Sequence, residues 1–399
     1  MPHTIAGGGR KYIVIASVLL LLIFLTVGAT SCGATAFSQA TQDKLTTAIQ
    51  TAMSAEKIPG AIVGIWQQGK GQYVGAFGKA ALVGDNPMRT DDIWKVASIT
   101  KTFTANVILQ LAGQGKLSLD DKLSKYDWSV GIANRDQITV RMLLDHTSGL
   151  PDLENDDIAF QKVRYGDPTK VWTHTEILKW TRTLKPLAAP GTAYNYSNTG
   201  YYLLGMIIES TTGKTATQEI QTLCADKLGL MNTRLADMPA YLLSWPHSDG
   251  YLTRAGLPGG IQVPGTAPVV NTTLWNTTAG WTSAGVDSGL TDLKTWIESV
   301  AGGKLLTPAM FKEQLKDPVA MSEAVNTPHY GLGVAITNTA AGQMFWHNGA
   351  TLGYSSFAGN IPKSGVTIVV FMNMMPTASG DSTAATSLVA PLLTALPGK

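Results

Sequence analysis

Cysteine is scarce. The 399-residue chain has two, Cys32 and Cys224, too few for a disulfide framework or a thiolate metal cluster. Cys224 falls in a helix-like stretch, 215–228, and reads as a buried, inert thiol. The six histidines, His3, His146, His174, His247, His329 and His347, form no His-x-x-x-His pair, so no metal site is expected and no cofactor is implied. Charge is thin, 15% of residues, and nearly balanced, with 30 Lys and Arg against 28 Asp and Glu leaving +2. That removes any electrostatic case for nucleic acid or an anionic membrane surface. There is no Gly-x-Ser-x-Gly nucleophile elbow, no internal repeat and no low-complexity linker. With 44% hydrophobic residues a large ordered core is expected, and the partner is expected to be a small molecule, a peptide or a neutral polymer.

The N-terminus has the order of a targeting segment, 1–36. Arg10 and Lys11 precede an uncharged apolar run, 12–27, and small residues follow, which predicts export. Ala34-Thr35-Ala36 offers a small-x-small cleavage site, whereas Ala29-Thr30-Ser31-Cys32 resembles a bacterial lipobox that would lipidate Cys32. An uncleaved anchor is the third reading, since the run is shorter than the ~20 residues a spanning helix wants. The product is expected to be secreted or attached to the outer face of the membrane, touching lipid only through this segment.

The chain is organised around 95–115. Ile99, Phe103, Val107, Ile108 and Leu111 recur at helical spacing, and Lys101 is the only charged residue between Ser98 and Gly115. An unpaired ammonium is costly to desolvate, so a helix this apolar keeps one for a use. Read as the N-cap, Ser98 shares a helix face with Lys101, and a lysine whose pKa is lowered by burial can take the proton of a serine hydroxyl. The helix start adds unpaired NH groups and a positive dipole end suited to an oxyanion. Read structurally, Lys101 would instead pair with a buried carboxylate. A second Ser-x-x-Lys, Ser54 to Lys57, closes a helix and lacks this geometry.

Elsewhere the pattern predicts a helix at 42–57 and a hairpin of 61–67 and 72–78 around Gly69-Lys70-Gly71. Helical or irregular structure follows over 117–283, including a long loop region at 239–276. Helices return at 290–301 and 308–316, then strands at 330–337, 343–348, 354–361 and 365–373, and a closing helix at 382–396. The fold class is α+β: one antiparallel sheet built from both chain ends and flanked by helices, with a mainly helical second lobe. The domain expected at 42–395 divides into a sheet lobe, 42–115 with 284–395, and a helical lobe, 116–283.

Two further pieces carry chemistry. The loop 191–200 sets Tyr196 beside Asn198; a tyrosine near a positive charge ionises more easily, and an asparagine can hold a substrate amide through donor and acceptor. The late strand ends in His347-Asn348-Gly349-Ala350. Taken alone, each piece reads better as structural. In this order, however, Ser98-Ile99-Thr100-Lys101, Tyr196-Ser197-Asn198 and His347-Asn348-Gly349 resemble the active-site signature of the serine beta-lactamase and penicillin-recognising superfamily. The chain is similar to its class C beta-lactamase and D-alanyl-D-alanine carboxypeptidase branch, peptidase family S12, over about 42–395, and 143–150 also looks like a structural family segment.

The resemblance implies that Ser98 is acylated, that Lys101 and Tyr196 share its proton, and that Asn198 orients the substrate amide. His347, Asn348, Gly349 and Ala350 would bind substrate, with the NH groups of Ser98 and Ala350 as the oxyanion hole. Implied substrates are D-Ala-D-Ala peptides such as peptidoglycan stem peptides, beta-lactams or esters; a non-catalytic penicillin- or cell-wall-binding protein is the alternative of another class. One departure bears on specificity. No Lys or Arg lies between Lys316 and Lys363, so His347 is the only local cation candidate unless Arg135, Arg164 or Arg254 reaches in from the helical lobe. A free terminal carboxylate would then be poorly held, and an esterase or neutral D-peptide hydrolase gains.

Overall fold

The computed structural model describes residues 35–236, 244–257, 261–263, 265–375 and 384–397. Residues 1–34, where the sequence was read as a targeting segment with Cys32, lie outside them. No described helix is long and apolar enough to cross a membrane. The helix Gln39–Glu56 starts on Ser38, whose side chain accepts from the Thr41 NH, and stops where Lys57 turns left-handed at φ 54°. Ser54 and Lys57 therefore sit at a helix C-terminus, where carbonyls rather than NH groups are left over.

A nine-stranded antiparallel sheet follows the order Asn86–Pro87, Gly71–Ala81, Gly60–Gln67, Val366–Met372, Tyr354–Ile361, Gly342–Thr351, Ala335–Thr339, His329–Tyr330, Val319–Ala320. The first long strand pairs with the last, Val63 opposite Val370, so both chain ends meet in mid-sheet. The pleat sorts side chains with period two. Val369 and Phe371 enter the core shared with Phe103 and Val107, whereas Ile368, Val370 and Met372 enter the one shared with Leu45, Ile49 and Leu392 of the terminal helices. The helix that follows Ser98 is thus packed against one face of the sheet.

The run 330–337 is not one strand. It splits between His329–Tyr330 and Ala335–Thr339, because the chain dips toward the central helix, with the Leu332 NH donating to the Gln314 carbonyl at 2.9 Å. Gly333 takes φ 84° there, and a Cβ on it would lie 2.1 Å from the Ala105 Cβ. The stretch 215–228 is helical but contains a π turn at Gln221–Ala225. Cys224 is fully buried and free, and burial pushes its thiol up. Within the long loop region, Tyr251–Thr253 and Val269–Asn271 pair as a small ladder.

Candidate active site

Ser98 is not an N-cap. It is the middle residue of a tight 3-10 turn, Ala97–Ile99, that leads into the helix Thr100–Gly113 without side-chain capping. Ala97 is left-handed at φ 51°, a strained conformation for a residue with a Cβ. The turn is held from both sides: the Val96 NH donates to the Val286 carbonyl at 3.0 Å, and Ser356 Oγ donates to the Val96 carbonyl at 2.7 Å. The helix behind it is buried all round from Thr100 to Leu111. Phe103 stacks on Trp296 at 3.7 Å, and the Trp296 indole donates to Thr102 Oγ1 at 2.7 Å. The hydroxyl of Ser98 is left for Lys101.

Lys101 is fully buried. Its Nζ lies 2.6 Å from Asn198 Oδ1, 2.9 Å from the Ser283 carbonyl and 3.1 Å from Ser98 Oγ. Burial pushes the ammonium down to about 7, against the pull of Asp152 and Glu154. A neutral amine has two N–H bonds and one lone pair. Asn198 Oδ1 and the Ser283 carbonyl can only accept, so they take both hydrogens, and the lone pair is left facing the Ser98 hydroxyl. Among the described residues, no carboxylate touches Nζ directly. The nearest acid in the network is Asp152, whose Oδ2 accepts from Asn198 Nδ2 at 2.8 Å and whose carboxyl is raised to about 6, chiefly by burial. Glu154 is paired with Arg164 at 2.5 Å.

Asn198 therefore bridges Lys101 and Asp152, which uses one acceptor position and one donor hydrogen of its amide. It stands at the first position of the helix Asn198–Thr212, started by Ser197. The Tyr196 ring centroid is 4.8 Å from Lys101 Nζ. Ionisation is not eased by that charge: burial raises the Tyr196 hydroxyl well above its ordinary value, with the Ser98 side chain opposing. The phenol stays protonated. His146, within the 143–150 segment, packs its ring 4.3 Å from that of Tyr196 and accepts from the Ser197 NH at 3.0 Å.

On the strand Gly342–Thr351, alternation puts His347 on the same face as Phe345, toward Lys101, and Asn348 on the other. The Asn348 amide accordingly donates to Thr386 Oγ1 at 3.1 Å and turns away from Ser98. His347 is not a cation. Its Nδ1 is 2.6 Å from the Asn348 carbonyl, which can only accept, and its Nε2 is 2.9 Å from Tyr330 Oη. Burial first, then Lys101, brings it down to about 3, so it is neutral with the proton on Nδ1. Arg135 is bonded to Ser129 Oγ and the Ser124 carbonyl, Arg164 to Glu154, and Arg254 to the carbonyls of Val263 and Ala267. His347 is thus not the cation that its residue type suggested, and each of the three arginines is held by other groups.

Gly349 is required by contact: a Cβ there would sit 2.4 Å from the Val96 carbonyl oxygen and 2.8 Å from the Ala97 Cβ. The strand can therefore lie against the nucleophile turn. Thr351 and Tyr354 close a two-residue hairpin loop of Leu352 (φ 40°) and Gly353 (φ 88°). Bonded pairs alternate from that closing pair, so Gly349 bonds inward and Ala350 points its NH to the outer edge. Pairing with Ala335–Thr339 ends at Trp346, which leaves the Ala350 edge without a strand partner. The structure brings Ser98, Tyr196, Asn198 and His347 around Lys101. Asp152, the Ser283 carbonyl, Tyr330 and His146 complete the surroundings.

The Beta-lactamase family matches residues 45–390, and the chain belongs to it. Its fold is the beta-lactamase/transpeptidase-like one, with which the class C and S12 branch is compatible. Among curated relatives, Penicillin-binding protein 4* of Bacillus subtilis (strain 168) is 28% identical over 71% of this chain and 61% of its own length. The chain spans about three fifths of the length of such relatives. Among solved structures, a D-stereospecific amidohydrolase from Streptomyces sp. is 28% identical with TM-score 0.71, covering 88% of this chain and 96% of that one. The D-amino acid amidase from Ochrobactrum anthropi SV3 shares the fold at 23% identity and TM-score 0.74, over 88% and 98%.

Proposed function

We propose that the protein is an exported serine hydrolase that forms an acyl-enzyme on Ser98. The observation that carries this reading is Lys101 Nζ held between two oxygen acceptors and 3.1 Å from Ser98 Oγ, so that the neutral amine turns its lone pair to that hydroxyl. Lys101 takes the Ser98 proton as Oγ attacks the carbonyl carbon, and the NH groups of Ser98 and Ala350 receive the oxyanion. As the tetrahedral adduct collapses, Tyr196 gives its proton to the leaving amine or alcohol and is reprotonated from the Lys101 ammonium. Water then cleaves the ester by the reverse proton path. Asn198 and Asp152 hold Lys101, and neutral His347 lies beside it. A binding protein without catalysis is disfavoured, because such a protein has no need of a lysine held near neutrality.

The substrate is an amide or ester whose leaving side carries no free carboxylate. Among the described residues, His347 is neutral, its strand carries no Lys or Arg, and Arg135, Arg164 and Arg254 are bonded elsewhere, which disfavours a charge-assisted partner for one. The amidohydrolase name of the Streptomyces relative agrees with an amide substrate. The test compares kcat/KM for a peptide ending in D-Ala-D-Ala with that for its C-terminal amide. The amide is expected to be handled at least as well; a preference of about a hundredfold for the acid, near 2.7 kcal/mol, contradicts this specificity. Export is tested by sequencing the N-terminus of the mature protein, and lipidation by palmitate labelling with and without Cys32→Ala.

A further inference from the structure

One buried histidine takes no proton in acyl transfer, yet it grips the loop that supplies one. His146 is 1% exposed and stands in left-handed backbone at φ 62°, a conformation that a residue with a Cβ takes at a cost. Its main-chain carbonyl accepts from the Asn195 NH at 2.8 Å, and its ring Nδ1 accepts from the Ser197 NH at 3.0 Å. Tyr196 lies between those two NH groups, so a single residue holds the chain on either side of it. The ring then packs on the phenol itself, 4.3 Å between centroids.

A ring nitrogen that accepts carries no hydrogen, which puts the His146 proton on Nε2. Burial first, then Lys101 and His347, keeps the ring neutral. Nε2 is buried and meets no hydrogen-bond partner among the described residues. Rings stand around it instead, Tyr330 at 4.8 Å, Tyr201 at 5.1 Å and Tyr194 at 5.7 Å, besides Tyr196. A strained backbone and an unmet donor both cost stability, and the fold accepts both at the residue that fixes Tyr196. Asn198 has supports of its own: its helix is started by the Ser197 side chain, and its amide is held by Lys101 and Asp152. We propose that His146 is the positioning residue of Tyr196, its carbonyl, Nδ1 and ring face keeping the phenol aimed so that its proton reaches the leaving amine or alcohol. This rests on the reading of Ser98 as nucleophile and Tyr196 as proton donor.

The test uses the whole protein and two esters of one acyl group, p-nitrophenyl butanoate and ethyl butanoate. Nitrophenolate leaves without a proton and ethoxide needs one, so the ratio of the two kcat/KM values reads proton delivery, and the shared acyl-enzyme keeps deacylation out of it. His146→Phe keeps a ring and removes the acceptor. It is expected to lower kcat/KM for the ethyl ester about fivefold or more beyond its effect on the nitrophenyl ester. His146→Asn, whose side-chain oxygen can stand in for Nδ1 and which tolerates left-handed backbone, is expected to restore part of the loss. In a Tyr196→Phe background, His146→Phe is expected to change the ratio by less than about twofold, because the hydroxyl it positions is gone. A ratio within about twofold of wild type in His146→Phe, or an equal fall with and without the Tyr196 hydroxyl, overturns the proposal. Nitrogen NMR of the wild-type protein labelled at histidine reads the grip without any substitution: His146 is expected as the Nε2–H tautomer, and a proton on Nδ1 overturns the proposal. Hydrolysis that persists in Ser98→Ala overturns the nucleophile reading and this role with it, whereas Ser98-dependent hydrolysis with an unmoved ratio overturns this role alone.

Discussion

Two lysines flank Ser98 at equal distance along the chain, and the fold treats them differently. Lys95 and Lys101 are both buried, and burial lowers both, to about 8 and about 7. Lys95 gives its hydrogens to two main-chain carbonyls and lies opposite Asp287 in the ladder, whose carboxyl burial raises to about 7. Lys101 touches an asparagine, a carbonyl and a hydroxyl, with its acids one residue further out. Burial alone does not make a base. The difference lies in whether a serine hydroxyl stands within reach of the amine's lone pair.

That contrast can be broken most strongly at Lys101. Lys101→Met should slow acylation by about a hundred- to ten-thousandfold, the usual range for losing a general base, measured as the single-turnover rate with an activated ester. Tyr196→Phe should cost about a hundredfold, more with amides, whose leaving group needs a proton, than with nitrophenyl esters. Stability should not separate the two lysines. In urea unfolding, Lys95→Met and Lys101→Met should each lose about 1–3 kcal/mol by leaving two buried oxygen acceptors unmet.

The pH profile sharpens the same contrast. The reactive form of Lys101 is the neutral amine, so acylation should rise about tenfold per pH unit below neutrality and level off above about 7. Neither His347, neutral above about 3, nor Tyr196, raised by burial, should add a second rise near neutral pH. The slope should vanish in Lys101→Met and persist in Lys95→Met. The smallest expected effect is that of Tyr330→Phe, which removes one hydrogen bond to His347, about 1 kcal/mol of stability.

Much of this was legible in the sequence where the signal is local. The sheet built from both ends follows from strands with clear boundaries, and 354–361 coincides with the observed strand. Ser98 and Lys101 drew notice because a lone charge on an apolar helix must be either used or paired, and the later Tyr196 and His347 motifs tipped that choice. The break at 331–334 was not, since it answers to Ala105, more than two hundred residues away. Nor was the Ser283 carbonyl, 182 residues from Lys101, because a main-chain oxygen leaves no mark in the residue pattern. Asp152 left a faint one, two acids in the apolar-flanked stretch Pro151-Asp152-Leu153-Glu154. The charge of His347 was misjudged from its residue type, because its neutrality comes from burial against Tyr330 and Lys101.

The claim that Ser98 is the nucleophile and Lys101 its base is tested most directly by intact-mass spectrometry after exposure to a penicillin or an activated ester. The wild type should gain one covalent adduct that maps to the peptide containing Ser98. The adduct should be absent from Ser98→Ala and form about a hundredfold or more slowly in Lys101→Met. An adduct that survives Ser98→Ala, or that forms at the wild-type rate without Lys101, would contradict the account.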